Sequence, residues 1–458
     1  MKRSLFLIPF IAFSCYTLPV RADIYVDNKA GNDSNSGKSP DKAVNTLAAG
    51  MKKLYVAKES KLIIKNNGTP YYECLRITRG GSPSSPLTIE GNNAVISGLK
   101  EIPSSKWLKK NGAYFFPHKR MGAERPYLLV NGNPVPRGKS DIKNLEPFSH
   151  YWAKHGVYFK PAEGKKIKDY KIFGTMVSSG VAISNSHYIT CRNITAEYFC
   201  NDGFNVHGNC QNLIFENITG RFNGDDGFSV HEDVGSLVRN GYFHGNDFGI
   251  QDVNAARSEY YGIQVENNRR VGVHFSGGIH TLINAVVKGN KEGQIKVNSG
   301  KADHVGLMRD NPAVTGMAYI KDVYVLSGNN YGIYAGNSAD VIVMNCFIAN
   351  VPTGIICDSK ADLTLKGIMV RDCSRAMIEN RSPETKINFS LLAPGIYIFN
   401  GKVYDDKDFK SWLTTCKTGK NILNKLPDPK SGPVIFDNGK RHHFYAGPRM
   451  PAFAFKTK

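Results

Sequence analysis

The sequence predicts an all-β fold: a right-handed parallel β-helix with an N-terminal capping helix and an inserted loop or β subdomain. A glycine followed by an alternating strand recurs at Gly180, Gly203, Gly227, Gly249, Gly272 and Gly293, at intervals of 23, 24, 22, 23 and 21 residues, and Gly332, Gly354 and Ala376 continue the series at 22. Between these positions lie second short strands, as at 213–218, 282–287 and 341–346, with no competing helical period. A unit of two or three short strands cannot bury its own apolar face, so successive units must stack and pair in parallel. Asn193, Asn217 and Asn345 fall at recurrent turn positions, where a left-handed backbone and stacked amides are expected. A leucine-rich repeat and a propeller are disfavoured by the missing leucine consensus and the missing Trp-Asp signature.

Taken in order, residues 1–22 read as a signal peptide, with Lys2 and Arg3 before an apolar run from Leu5 to Phe13 and small residues around Ala22. Export to a secreted or periplasmic location is therefore expected. Lipid attachment at Cys15 is the weaker alternative, because the leucine expected three residues earlier is missing. No stretch is long and apolar enough to predict a transmembrane segment. Residues 23–101 are expected to form the N-terminal cap and first coils, with a short helix near Ala43 to Leu54. Residues 102–172 interrupt the repeat and carry Trp107, Tyr114, Tyr127, Tyr151, Trp152 and Tyr158, which predicts an insertion or small β subdomain whose rings could wall a cleft. The β-helix core is expected over 173–400, broken by a long loop around Lys301 to Met317. Residues 401–458 are expected to form a closing segment that includes Asp408 to Leu413.

The chain has 59 Lys+Arg against 39 Asp+Glu, a formal net charge of +20. An anionic partner follows, and without a recognition helix or zinc-finger pattern an acidic polysaccharide or oligosaccharide is expected rather than nucleic acid. A monomer is expected. Apart from Cys15, the cysteines are Cys74, Cys191, Cys200, Cys210, Cys346, Cys357, Cys373 and Cys416; none makes a C-x-x-C pair, and they read as small apolar packing groups.

Two successive coils carry Asn201-Asp202-Gly203-Phe204 and Asp225-Asp226-Gly227-Phe228. Stacking sets Asp202 beside Asp226, with Asp225 adjoining. Like charges this close repel unless a proton or cation intervenes, so the patch reads either as a Ca2+ site or as an acid/base centre. Alternation sends Phe204, Phe228, Ile250 and Val273 to the core. Asn205, Ser229, Gln251 and His274 then form an outward column flanked by His207, His231 and Ser276, and a one-residue shift in the next coil adds Lys296 and Asn298. Such a polar, partly basic strip suits an extended sugar chain.

The start of the mature chain, from Asp23 to Pro40, resembles the opening of secreted β-helix carbohydrate enzymes of the pectate-lyase-like superfamily, and 127–137 and 408–413 resemble them more loosely. The paired Asn-Asp-Gly-Phe and Asp-Asp-Gly-Phe motifs resemble those of family-nine polysaccharide lyases, in which such aspartates bind calcium and a lysine abstracts the uronate proton. That resemblance implies metal roles for Asp202, Asp225 and Asp226. Ser229 stands where a fourth aspartate is expected, and Gln251 where the lysine would be, leaving His274 or Lys296 as the base. The motifs are also similar to those of polygalacturonase-like and β-helix α-galactosidase-like inverting hydrolases, which implies Asp202 as acid with Asp225 and Asp226 as base; Phe248 replaces the histidine of polygalacturonases. The favoured expectation is a lyase acting on a uronate polysaccharide, with Asp202, Asp225, Asp226, His274 and Lys296 catalytic and Asn205, His207, Ser229, His231 and Gln251 contacting substrate. An inverting hydrolase and a non-catalytic glycan-binding protein are the alternatives.

Overall fold

The computed structural model describes residues 23–118, 126–138, 142, 144–301 and 313–382, followed by short strands within 386–443. The signal peptide and the 408–413 segment expected from the sequence lie outside these residues. The strands stack into two long sheets. One runs through Leu75–Ile77, Val181–Ser184, Phe204–His207, Asp226–Val230, Phe248–Val253, Val271–Ser276, Gly293–Asn298, Tyr331–Gly336, Thr353–Cys357 and Ala376–Asn380, all in parallel. Each of its strands from Val181 onward begins at or close to one of the repeat positions. The second long sheet is built from the intervening strands, such as Ile189–Glu197, Asn209–Arg221 and Ile279–Lys288.

Between the sheets lies a continuous apolar core in which Phe204, Phe228, Ile250 and Val273 are fully buried, as alternation requires. Cys191, Cys210, Cys346 and Cys357 join it as small apolar groups. The helix forms at Leu47–Ala57, a few residues later than expected, because Thr46 caps it by accepting the Ala49 N–H at 3.1 Å. Its buried face, Leu47, Met51 and Leu54, covers the open apolar end of the stack.

A second polar ladder runs inside the core. Asn223, Asn246, Asn268 and Asn290 are fully buried and hand one another hydrogen bonds from coil to coil, ending on Gln294 Oε1. The side-chain oxygens of Asn246, Asn268 and Asn290 also accept the backbone N–H of the preceding ladder residue, and Asn223 Oδ1 accepts that of Phe199. This ladder explains four of the repeat glycines, Gly203, Gly227, Gly249 and Gly272. A Cβ at Gly203 would come within 2.7 Å of Asn223 Nδ2, and one at Gly227 within 2.7 Å of Asn246 Nδ2, so only glycine leaves room for the amides. On the outer turns, Asn193, Asn217 and Asn345 take left-handed backbone as expected, and Asn217 donates to Asn193 Oδ1 at 3.0 Å.

The interruption of the repeat is a β subdomain. Leu108–Lys110, Ala113–Pro117, Ser149–Ala153 and Gly156–Lys160 make one antiparallel sheet, and Leu99–Glu101, Leu128–Val130, Asn133–Pro134 and Ile172–Thr175 another, slightly wider than the expected 102–172. Trp107, Trp152 and Tyr158 are buried in its own core and so are not cleft walls. Tyr127 instead docks the subdomain on the coils: its hydroxyl donates to Gly245 O at 2.8 Å and accepts from Arg269. At the two ends of the expected loop Gly300–Lys301 pairs antiparallel with Ala313–Val314, and residues 302–312 between them lie outside the described residues.

His150, in this subdomain, is 3% exposed, and burial pushes it down to about 4. Because the fold favours the neutral ring, its stabilising contribution is present above the unfolded value of about 6.5 and is lost as pH falls through that value toward 4. That loss is on the order of 3 kcal/mol. His150→Phe is expected to flatten the acid limb of the subdomain's stability curve, measured by tryptophan fluorescence from pH 7 to 4; an unaltered limb would remove His150 as the cause.

Candidate active site

The parallel register brings the predicted carboxylates together. Asp226 N–H donates to Asp202 Oδ1 at 3.1 Å, and one carboxylate oxygen from each of Asp202, Asp225 and Asp226 lies within 4.8 Å of the others. Asp202 and Asp226 are 2% and 1% exposed, whereas Asp225 is half-buried. Asp202 Oδ2 accepts from Asn201 Nδ2 at 2.7 Å and Asn205 Nδ2 at 2.6 Å. Asp226 Oδ2 accepts from Gln251 Nε2 at 3.2 Å, but its buried Oδ1 has no hydrogen-bond partner among the described residues.

Electrostatics follow from this crowding. Burial, then the charge of Asp225, pushes Asp202 well above the usual carboxylate range. The same two causes, with Asp202 and Asp247 added, raise Asp226. Asp247 is a carboxylate that sequence reasoning missed. It is buried, held by Arg269 Nε at 3.0 Å, and its N–H donates to Asp225 O at 2.6 Å on the adjoining coil. Its position two residues before Gly249 repeats that of Asp225 before Gly227, so the 22-residue spacing could have found it.

The outward column forms in the expected register, Asn205 beside Ser229, then Gln251, His274 and Lys296. The one-residue shift at the last step is present, and Asn298 pairs with Ser276. Gln251 Oε1 faces His274 Nδ1 at 3.2 Å, and His274 Nε2 faces Asn298 Oδ1 at 2.9 Å. Asn298 Nδ2 already donates to Ser276 Oγ and Ser299 O, so both ring nitrogens of His274 look at acceptors. Burial, partly opposed by the Asn298 contact and reinforced by Lys296 and Arg270, pushes His274 down to about 4. The ring is thus neutral at rest, with acceptors in place for a second proton.

Two predicted residues sit differently from the expectation. Ser229 is fully buried, its hydroxyl 2.9 Å from His231 Nε2 and donating to Gln251 O, so it supports the face and does not present to a ligand. Lys296 is not brought to the carboxylates: three strand spacings of about 4.8 Å separate its strand from that of Asp226. Burial and the charge of Arg270 lower Lys296, and Tyr334 lies under its ammonium at 5.8 Å. Arg270, also missed, stacks on Phe248 at 4.5 Å and bonds Glu292, giving the strip a basic patch beyond His274. His207 and His231 stack in parallel, ring centroids 4.1 Å apart, at the far edge of the column.

Residues 179–315, which hold all of these side chains except Tyr334, match the family model described as "Right handed beta helix region". This segment is a right-handed β-helix. No curated protein matches the chain. Among solved structures, the chain is similar to XylC in complex with xylose, at 11% identity and TM-score 0.44 over 82% of this chain and 69% of that one. It is similar also to a glycoside hydrolase, at 11% identity and TM-score 0.45 over 83% and 95%, and to pectate lyase Pel9A, at 12% identity and TM-score 0.40 over 83% and 77%.

Proposed function

We propose that the outer face of the Asn205 to Lys296 column binds an acidic polysaccharide along the coil axis and that the chain is cleaved by β-elimination at the carboxylate cluster. The observation that carries this is Asp226 Oδ1, a buried carboxylate oxygen left without a partner beside two further carboxylates. Such an atom is costly to bury unless a proton, a cation or a substrate group meets it.

The spacing favours a cation. Oxygen ligands at about 2.3–2.6 Å from one calcium ion stand no more than about 5 Å apart, and one oxygen from each of the three carboxylates lies within 4.8 Å of the others. An inverting acid and base need roughly 6.5–9.5 Å to admit water. Asp202, Asp225 and Asp226 would hold the ion, which when bound neutralises the uronate carboxylate and acidifies the proton beside it. Asn205 and Gln251 fix the orientations of Asp202 and Asp226 through the contacts above. His274, whose ring is neutral at rest and which Gln251 links to Asp226, would accept the proton. Lys296 and Arg270 supply positive charge for the carboxylate of a neighbouring sugar.

The test is turnover on a panel of polyuronates and neutral glycans. A lyase yields unsaturated ends that absorb in the near ultraviolet and stops when a chelator is added. Reducing ends without that absorbance would make the protein a hydrolase, and retention on a glycan gel without either product would make it a binder.

A further inference from the structure

At the opposite end of the same strands from the carboxylates, His207 closes the Phe204–His207 strand, and His231 and Glu232 directly follow the Asp226–Val230 strand. We infer that His207, His231 and Glu232 form a second metal site, selective for a borderline transition ion such as Zn2+, Co2+ or Ni2+. One ligand atom from each lies within 4.8 Å of the others. His207 Nδ1 is 3.3 Å from Glu232 Oε2, and the two imidazoles stack at 4.1 Å with planes 8° apart.

The local backbone is shaped to deliver the carboxylate. Glu232 has φ +58, the left-handed region that a residue with a Cβ seldom takes. Its N–H donates to Asn254 Oδ1 at 3.2 Å, and its Oε2 accepts the Gly208 N–H at 2.9 Å, which turns the side chain back over the preceding coil toward His207. Ser229 Oγ, 2.9 Å from His231 Nε2, fixes that ring from behind, as a partner on the second nitrogen orients a metal-ligating histidine.

Two imidazoles and one carboxylate are the donor set of zinc and of non-haem iron, nickel or cobalt, not of calcium, which takes oxygen. The side chains of His207 and Glu232 are 37% and 27% exposed, so the site opens to solvent with room for a water or a sugar hydroxyl. Zinc lies about 2.1 Å from nitrogen and oxygen ligands, in the plane of each imidazole; metal binding therefore requires the half-exposed His207 ring to turn out of its stack on His231. The site stands on its own geometry and does not depend on cleavage at the carboxylates.

Titration of the full chain with Co2+, read by its visible absorption, and with Zn2+ by calorimetry, tests it. One ion per chain is expected, undisplaced by excess Ca2+ and weakening as pH drops below about 6, where imidazole takes a proton. His207→Ala and Glu232→Gln are each expected to weaken binding at least about tenfold, the range seen when metal-site partners are removed; Glu232→Gln keeps an acceptor for Gly208, and an unchanged melting temperature verifies its fold. Equal affinity in both variants and the wild-type chain, or displacement by Ca2+, would overturn the site.

Discussion

Asp226→Asn is expected to reduce turnover by at least about 10³-fold, the scale of losing a positioned charged group at a reacting centre. The amide is nearly isosteric and the backbone N–H bond to Asp202 is untouched, so the fold is kept, but the cluster loses the charged group that accepts from Gln251. Stability should move the other way. The fold raises Asp226 above its unfolded value, so the group's stabilising contribution is present in acid and is lost as pH rises through the raised value. The variant has no such loss. Its melting temperature is therefore expected to match the wild type in acid and to exceed it at neutral pH without divalent cations. An inactive variant that melts lower at neutral pH would mean that Asp226 holds the coils together and is not a strained functional group.

Asn246→Leu is expected to cost at least about 4 kcal/mol, read from denaturant unfolding. The side chain is fully buried, accepts from the Asn223 N–H and Nδ2, and donates to Gly220 O and Asn268 Oδ1. Leucine would leave several of these groups buried without partners, each worth about 1–3 kcal/mol. It would also press on Gly227, where even a Cβ has no space. Removing a partner at one rung should thus disturb the Asp225-Asp226 turn and lower activity together with stability. A loss below about 1 kcal/mol would mean that the amides are dispensable to the stack.

The fold was legible because a β-helix writes its period into the chain. Glycines about 22 residues apart marked each strand, and alternation after them separated Phe228 and Ile250 from Ser229 and Gln251 correctly. The cause of the glycines was not legible: the asparagines sit at spacings of 23, 22 and 22 residues, but nothing local says that Asn246 faces inward and Asn217 outward. Both are turn residues, and only the path of the coil decides. Lateral neighbours such as Asp202 and Asp226 followed from register alone. Depth did not: Ser229 belongs to the outward column yet is covered by His231, a contact between side chains two residues apart that alternation treats as equivalent. Asp247 and Arg270 occupy the repeat position of Asp225, but Phe248 and Val271 follow them where Asp226 follows Asp225, so no Asp-Gly turn marks either in the sequence.

The most direct measurement is a crystal structure of Asp226→Asn soaked with a uronate oligosaccharide and calcium. The expected result is a sugar chain lying along the coil axis over Gln251 and His274, one carboxylate and the ion at Asp202 and Asp225, and a neighbouring carboxylate at Lys296 and Arg270. Sugar density on another face, or an empty cluster beside well-ordered ligand, would contradict the assignment of these aspartates to the reaction.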